Sequence, residues 1–270
     1  MGFAIVANPY SRRCIEKAKE IYDFLTEKGQ NVILEEKLSH KLGLGDGVPL
    51  DAINIETIIT VGGDGTVLIT LQRAHGKILS IDMGALGFLT EVPPDRAFEY
   101  LEKYLQGEYY LEVRRKLRVD LNDERLPDCA NEAVIHTSEI ANIRSFRVYV
   151  DDELLGDIRA DGMIVATSTG STSYALSTGG PILHPRISGF VITYIAPFRR
   201  SVAPHVVPSR SIIKVELTQK YKEYIVVLDG QEQRFASYGD VLTFRESENV
   251  ALFVRFSKSF YTRLREKMGL

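Results

Sequence analysis

Gly62-Gly63-Asp64-Gly65-Thr66 sets three glycines around one carboxylate, directly after the apolar, β-branched run of residues 55–61. A helical pattern through Val67, Leu68 and Leu71 follows. A strand that ends in a glycine turn and feeds a helix presents backbone N–H groups to an anion, and glycine lets phosphate oxygens approach closely. The aspartate needs a separate reason, because a carboxylate beside bound phosphates is repelled unless a metal or a substrate hydroxyl stands between them. Asp64 therefore reads as a base or hydroxyl orienter in phosphoryl transfer. A tight turn with an Asp at a helix start is the plainer alternative, and five residues alone leave it open.

A second group lies a hundred residues on. Eight of the twelve residues in Thr167-Ser168-Thr169-Gly170-Ser171-Thr172-Ser173-Tyr174-Ala175-Leu176-Ser177-Thr178 are Ser or Thr, and Gly179-Gly180-Pro181 follows. So many hydroxyls suit a site that hydrogen-bonds a sugar or an adenine ring, with Tyr174 offering a flat face for stacking. A solvated Ser/Thr loop is the ordinary fate of such composition. The apolar run Met163-Ile164-Val165-Ala166 leads straight in, with Arg159 and Asp161 just before it. Asn131-Glu132 precedes the strand pattern Ala133-Val134-Ile135 and, read alone, is as readily a turn pair as a ribose ligand.

The elements that must position these groups divide the chain. Residues 1–110 alternate strand and helix patterns, an α/β signature. Residues 111–249 read as short alternating strands broken by Asn122-Asp123, Asp151-Asp152, Asp229-Gly230 and Gly239-Asp240, which are hairpin signals. Residues 250–270 are expected to pack back on the first domain. The fold class is thus an α/β N-terminal domain plus an all-β C-terminal domain. The glycines of residues 43–49 imitate a dinucleotide fingerprint but neither follow a strand nor open a helix, so that reading is rejected.

Composition narrows the function classes. The chain has 270 residues, 44% hydrophobic and 26% charged, with a net charge of −3. That balance argues against nucleic acid as the main partner. No stretch reads as a leader or a membrane span, and Cys14 and Cys129 stand far apart, so a reducing, cytoplasmic setting is the expectation. The five histidines are dispersed, no metal-ligand cluster is visible and no G-x-x-x-x-G-K-[ST] occurs.

In this order and at these separations, GGDGT, Asn-Glu, Asp-Gly and TSTGSTSYALSTGGP closely resemble the NAD kinase family, over nearly the whole chain. The resemblance implies an α/β domain carrying GGDGT, a β-rich domain carrying the other motifs, and NAD between them. It implies that Asp64 acts on the 2′-hydroxyl of the adenosine ribose while Gly62, Gly63, Gly65 and Thr66 shape the phosphate turn. Asn131 and Glu132 would hold ribose or adenine edges, and Thr172, Ser173, Tyr174, Ala175, Leu176 and Ser177 would line the adenine pocket. Arg159 and Asp161 resemble positions that reach NAD from a neighbouring subunit, and Ala196 and Gln231 fall near where the family closes the pocket.

The implied reaction takes a phosphoryl group from ATP or polyphosphate to NAD, giving NADP, with a divalent cation, magnesium, arriving with the nucleotide. The implied assembly is a homodimer or homotetramer, with small molecules as the ligands and neither nucleic acid nor membrane as a partner. Two departures stand out. Many members carry a basic residue three places after the GGDGT threonine, where this chain has Ile69, and Arg73 one turn on is only a geometric substitute. The stretch Ala196-Pro197-Phe198-Arg199-Arg200-Ser201 also differs from the family's spelling, so its arginines are not assigned. Thr167-Ser168-Thr169 in place of the commoner Thr-Pro-Thr alters stiffness more than chemistry. A diacylglycerol-type lipid kinase and a non-catalytic NAD or NADP sensor are the competing readings.

Overall fold

The computed structural model describes residues 2–84, 87–139, 142–199, 202–257 and 260–269. They form two compact units, Met1–Val113 with Ala251–Leu270, and Arg114–Val250.

In the first unit β1 (Gly2–Ala7), β2 (Asn31–Leu34), β3 (Asn54–Gly62) and β4 (His75–Asp82) form a parallel sheet in the order β2-β1-β3-β4. Helices α1 (Arg12–Glu27), α2 (Glu36–Leu42), α3 (Asp64–Arg73) and α4 (Ala97–Leu105) connect and cover the strands. Parallel strands covered on both faces need continuous apolar runs, and Phe3 to Ala7 are all buried. Helix α1 starts at Ser11, whose hydroxyl accepts the Cys14 N–H, and buries Cys14, Ala18, Ile21 and Leu25 along one stripe. Helix α2 ends on Gly43 at φ 67°, so the first glycine of the 43–49 loop is a helix cap.

In a parallel sheet of this kind the crevice at the carboxyl ends of the strands is where ligands bind. Gly62 and Asp82 are the ends of β3 and β4 and pair with each other. The sheet order therefore places the glycine turn at that edge.

The second unit is a β-sandwich. The elements after β4 are β5 (Tyr110–Leu121), β6 (Glu124–Arg125), β7 (Glu132–Thr137), β8 (Arg144–Val150), β9 (Glu153–Ala160), β10 (Gly162–Thr167), α5 (Tyr174–Ser177) and β11 (Gly189–Ile195). Then come β12 (His205–Pro208), β13 (Ile213–Leu217), β14 (Glu223–Leu228), β15 (Glu232–Ser237) and β16 (Val241–Arg255). Strands β12-β11-β10-β7-β14-β15 form one antiparallel sheet.

Strands β9, β8, β13 and β16 run side by side antiparallel in the other. Ile135, Met163, Val165, Ile192 and Val226 of the first sheet share a core with Phe146, Val148, Val215, Leu242 and Phe244 of the second. The expected hairpin turns are there, with Asn122, Asp151, Asp152 and Asp229 all at positive φ. On its other face the six-stranded sheet buries Val134, Ile164, Ala166 and Val191 against Ala175 of α5 and Leu183.

The last residues of β16, from Ala251, return to the first unit, where Phe253 pairs in parallel with Ile78 of β4. Helix α6 (Phe260–Met268) ends the chain.

Candidate active site

In the first unit the glycine turn is built as a strand-to-helix joint. Gly63 is the N-cap of α3 in extended conformation and Asp64 is its first residue. Gly62 has a steric reason to be glycine, since a Cβ there would lie 2.2 Å from the Thr66 hydroxyl. Thr66 thus folds back over the turn. Gly63 and Gly65 face open space, with nothing within 4 Å of an added Cβ. Their lack of side chains leaves room rather than relieving a clash.

The Asp64 carboxylate is held by a segment that the sequence reading passed over. Its Oδ2 accepts the Phe88 N–H at 2.9 Å, and its Oδ1 accepts the N–H groups of Leu89 at 3.0 Å and Thr90 at 3.3 Å. A carboxylate has about four acceptor positions, so this cradle fills three and leaves one, on Oδ2. Gly87 permits the approach, because a Cβ there would meet Asp64 Oδ1 at 2.2 Å. Asp82 ties down the same segment, accepting the N–H groups of Gly84 and Gly87 at 3.1 Å each and the Thr90 hydroxyl at 2.8 Å. Backbone donors carry no signature in residue type, which is why only the glycines at 84 and 87 could have pointed here.

The C-terminal segment braces this cradle from its carbonyl side. Arg263 donates to the Thr90 carbonyl at 2.8 Å and pairs with Glu91. Arg255, fully buried, donates to Glu112 at 2.9 Å, the Leu89 carbonyl at 2.9 Å and Glu91 at 3.1 Å. Lys267 places its ammonium 3.9 Å from Asp64 Oδ2 and 4.3 Å from the Phe88 ring centre. Arg73 is committed elsewhere, forking onto Asp51 with Nε 2.6 Å from Oδ1, so it does not serve the turn.

The second unit carries the other candidate residues. Asn131 and Glu132 enter β7 with their backbone pinned by Asp229, a fully buried carboxylate in the β14–β15 turn. It accepts the N–H groups of Ala130, Asn131 and Glu132 at 2.6, 2.8 and 2.9 Å. Burial lifts Asp229 to about 6, although those N–H groups and Lys116 favour its charged form. Burial and the nearby Asp229 charge push Glu132 up to about 8, against a hydrogen bond from Ser173 at 3.1 Å. At neutral pH Glu132 is therefore mostly a carboxylic acid, able to donate as well as accept. Asn131 Oδ1 and Glu132 Oε2 are buried without a partner among the described residues. Two unpaired polar atoms on adjacent residues of a pinned backbone are candidates for hydrogen-bonding a ligand.

Most hydroxyls of the Ser/Thr stretch turn inward. Thr167 donates to the Ala130 carbonyl at 2.6 Å, Ser168 to Gly189 at 3.2 Å, Ser171 to Ser168 at 2.7 Å and Thr178 to Thr193 at 2.7 Å. They fasten the loop to the strands beneath it. Gly170 crosses the Asn131 backbone so closely that a Cβ would meet its carbonyl oxygen at 2.2 Å. The sequence at 172–177 then divides. Ser173 reaches Glu132, Thr172 bonds back to Thr169 at 3.3 Å, Ala175 is core, Leu176 is half-buried, and Tyr174 and Ser177 are exposed. Gln231 sits on the Asp229 turn, its amide 3.3 Å from the Asp229 carbonyl.

Arg159, Asp161 and Ala196 do not join that group. Asp161 immediately precedes β10, where its N–H bonds the Ile195 carbonyl at 3.0 Å, and Arg159 lies exposed against the Phe198 ring at 5.0 Å. Ala196 follows at φ 45°. Asn131 and Glu132 lie by the other end of β10, where Glu132 pairs with Ala166. The six residues of β10 thus separate the two clusters by about 17 Å within one chain.

No group of His, Cys, Asp or Glu among the described residues is arranged to hold a metal. No helix among them is long and apolar enough to cross a membrane.

A glycine-turn carboxylate at the edge of a parallel sheet, followed in the chain by a β-sandwich whose buried Asn-Glu pair keeps unpaired polar atoms beside a hydroxyl-rich loop, fits the class of nucleotide phosphotransferases. Comparison with known proteins gives the family. Residues 3–109 match the ATP-NAD kinase N-terminal domain and residues 130–256 the ATP-NAD kinase C-terminal domain. An NAD kinase of Thermoplasma acidophilum is 41% identical over 268 residues, covering 99% of this chain and 98% of its own. One of Methanothermobacter thermautotrophicus is 42% identical over 273 residues, covering 99% and 96%. The crystal structure of an Archaeoglobus fulgidus NAD kinase in complex with ATP has a TM-score of 0.80 at 29% identity, covering all of both chains. Yeast NADH kinase complexed with NADH has a TM-score of 0.90 at 20% identity, covering all of this chain and 88% of its own, a likeness of fold. The chain belongs to the NAD kinase family, and its reaction is phosphoryl transfer to NAD, giving NADP.

Proposed function

We propose that Asp64 receives the 2′-hydroxyl of the adenosine ribose of NAD on its one open acceptor position, at Oδ2. The observation that carries this is the three-N–H cradle, which fixes the carboxylate and leaves one acceptor position on Oδ2, while Gly63 and Gly65 on either side of Asp64 have open space at their Cβ positions. In a loose phosphoryl-transfer transition state the hydroxyl loses its proton late, so alignment does most of what is needed.

The donor's terminal phosphates, from ATP or polyphosphate, approach the N-terminus of α3 across Gly63 and Gly65. Among the described residues no carboxylate cage for magnesium stands at the turn, since Asp64 and Asp82 each accept three hydrogen bonds and have one acceptor position left. A magnesium ion would come bound to the donor phosphates. Asn131 Oδ1 and the protonated Glu132 hold adenine or ribose edges, and the exposed Tyr174 ring stacks on a base. Arg159, Asp161 and Ala196 serve the site of a neighbouring subunit in a homodimer or homotetramer, which explains their distance from Glu132 along β10. The setting proposed is cytoplasmic.

The test is Asp64→Asn assayed with NAD, magnesium and either ATP or polyphosphate, with NADP detected by an NADP-specific dehydrogenase. Loss of turnover by about 10²–10⁴-fold with NAD affinity retained is expected. A near-normal rate removes Asp64 from the chemistry, and binding of NAD by wild type without turnover under any donor favours the sensor reading.

A further inference from the structure

Phosphoryl transfer places new negative charge on oxygens beside a carboxylate that is itself negative, so a cation is needed at the glycine turn. Helix α3 supplies none before Arg73, and Arg73 is paired with Asp51. Arg255 and Arg263 lie near but are held by Glu91, Glu112 and the carbonyls of the cradle, and the one Arg255 nitrogen left without a partner among the described residues, Nη2, is buried. Lys267 is different. Among the described residues its ammonium makes no hydrogen bond, and it stands 3.9 Å from Asp64 Oδ2, beyond bonding distance and close enough to feel the charge.

Both groups are partly open to solvent, Lys267 with 36% and Asp64 with 28% of the side chain exposed. Lys267 also follows Arg263 by one helical turn, so the anchor and the free ammonium share a face of α6. Arg263 fixes the helix to the cradle that holds Asp64, and Lys267 is thereby delivered to the one oxygen of Asp64 with a vacant acceptor position.

We propose that Lys267 binds the donor's transferring phosphate, a role supplied from the C-terminal helix rather than from α3. This rests on the reading of Asp64 given above. In the step itself the acceptor hydroxyl oxygen bonds to the terminal phosphorus and the bond from that phosphorus to its bridging oxygen breaks. The electron pair leaves with the departing phosphate, and the hydroxyl proton passes by way of Asp64 to solvent. Lys267 offsets charge on the phosphoryl oxygens throughout and takes no proton. The face of the Phe88 ring, its centre 4.3 Å from the ammonium, holds it beside the turn without using any of its N–H donors.

The experiment compares Lys267→Met, Lys267→Arg and wild type in the full chain, measuring ATP affinity by calorimetry, kcat and KM for each substrate, and thermal stability. Lys267→Met is expected to weaken ATP binding by roughly 10- to 100-fold and to lower kcat, with KM for NAD and Tm unchanged. Lys267→Arg is expected to recover most of the loss. ATP affinity and kcat within twofold of wild type in Lys267→Met would overturn the proposal. So would equal losses for NAD and ATP together with a lower Tm, which would make Lys267 a docking residue of the helix. The ATP-affinity arm reads Lys267 even in a protein that makes no NADP, and that failure would count against the kinase reading instead.

Discussion

Glu132 and Asp229, 97 residues apart, meet at the start of β7, where the Asp229 carboxylate accepts the Glu132 N–H at 2.9 Å while its charge and the surrounding burial keep the Glu132 side chain protonated to about pH 8. The folded protein therefore binds a proton at Glu132 that the unfolded chain has released above about pH 4.5. Between those values the native state binds more protons, so this group's contribution to stability falls as pH rises from about 4.5 to 8. Glu132→Gln, which mimics the neutral acid, is expected to flatten that slope. It should match wild type in urea unfolding near pH 5 and exceed it by a few kcal/mol at most near pH 9. Parallel slopes for the two proteins would show that Glu132 titrates normally.

Asp229 carries the opposite expectation. Its carboxylate satisfies three buried N–H groups at once, and its own side chain is fully buried. Asp229→Ala leaves those donors unpaired and removes one of the two carboxylates near the buried Lys116, which keeps Asp128, so a loss of about 3–5 kcal/mol is expected. Asn, with one acceptor oxygen, should recover only part of it. Equilibrium unfolding in urea at pH 7 checks the order wild type, Asn, Ala.

The α/β-then-β organisation was legible because it rests on periodicity, and residues such as Phe3, Ile5, Ile59 and Val61 can only be buried strands. GGDGT was legible because three glycines around one acid have few structural uses. The cradle of Asp64 was not, since its donors are the backbone N–H groups of Phe88, Leu89 and Thr90, residues that read as ordinary loop. Asp229 was visible as a hairpin turn but not as the clamp on Asn131 and Glu132, because that contact joins neighbouring strands, β14 and β7, that lie far apart in sequence. The hydroxyl-rich stretch pointed to polar recognition, yet Thr167, Ser168, Ser171 and Thr178 use their hydroxyls to fasten the loop. Composition registers a donor and says nothing of where it points.

The buried ion cluster behind the cradle makes Glu91 a stability residue. Its side chain is 3% exposed, pairs with Arg255 and Arg263, and accepts the Phe256 N–H at 3.1 Å. Glu91→Gln removes one buried charge from between two guanidinium groups, which is expected to cost about 3–5 kcal/mol. Because α6 is held through Arg263, hydrogen exchange should rise first in residues 260–269 of that variant. Unchanged protection there would mean that the helix is docked by other contacts.

The three positions Gly87, Gly170 and Gly65 separate glycines required by packing from one that leaves room for a ligand. A Cβ at Gly87 would strike Asp64 Oδ1 at 2.2 Å, and one at Gly170 would strike the Asn131 carbonyl oxygen at 2.2 Å, so Gly87→Ala and Gly170→Ala must displace a site residue. Both should lose stability and activity together. Gly65 lies in the first turn of α3 with nothing within 4 Å of an added Cβ, where alanine relieves the entropy cost of glycine in a helix. Gly65→Ala is thus expected to gain up to about 1 kcal/mol in unfolding experiments. Its turnover should nevertheless fall, because the added methyl occupies the space the donor phosphates need. Paired measurements of Tm and NADP formation check this, and a Gly65→Ala protein that is both more stable and fully active would place the donor away from the turn.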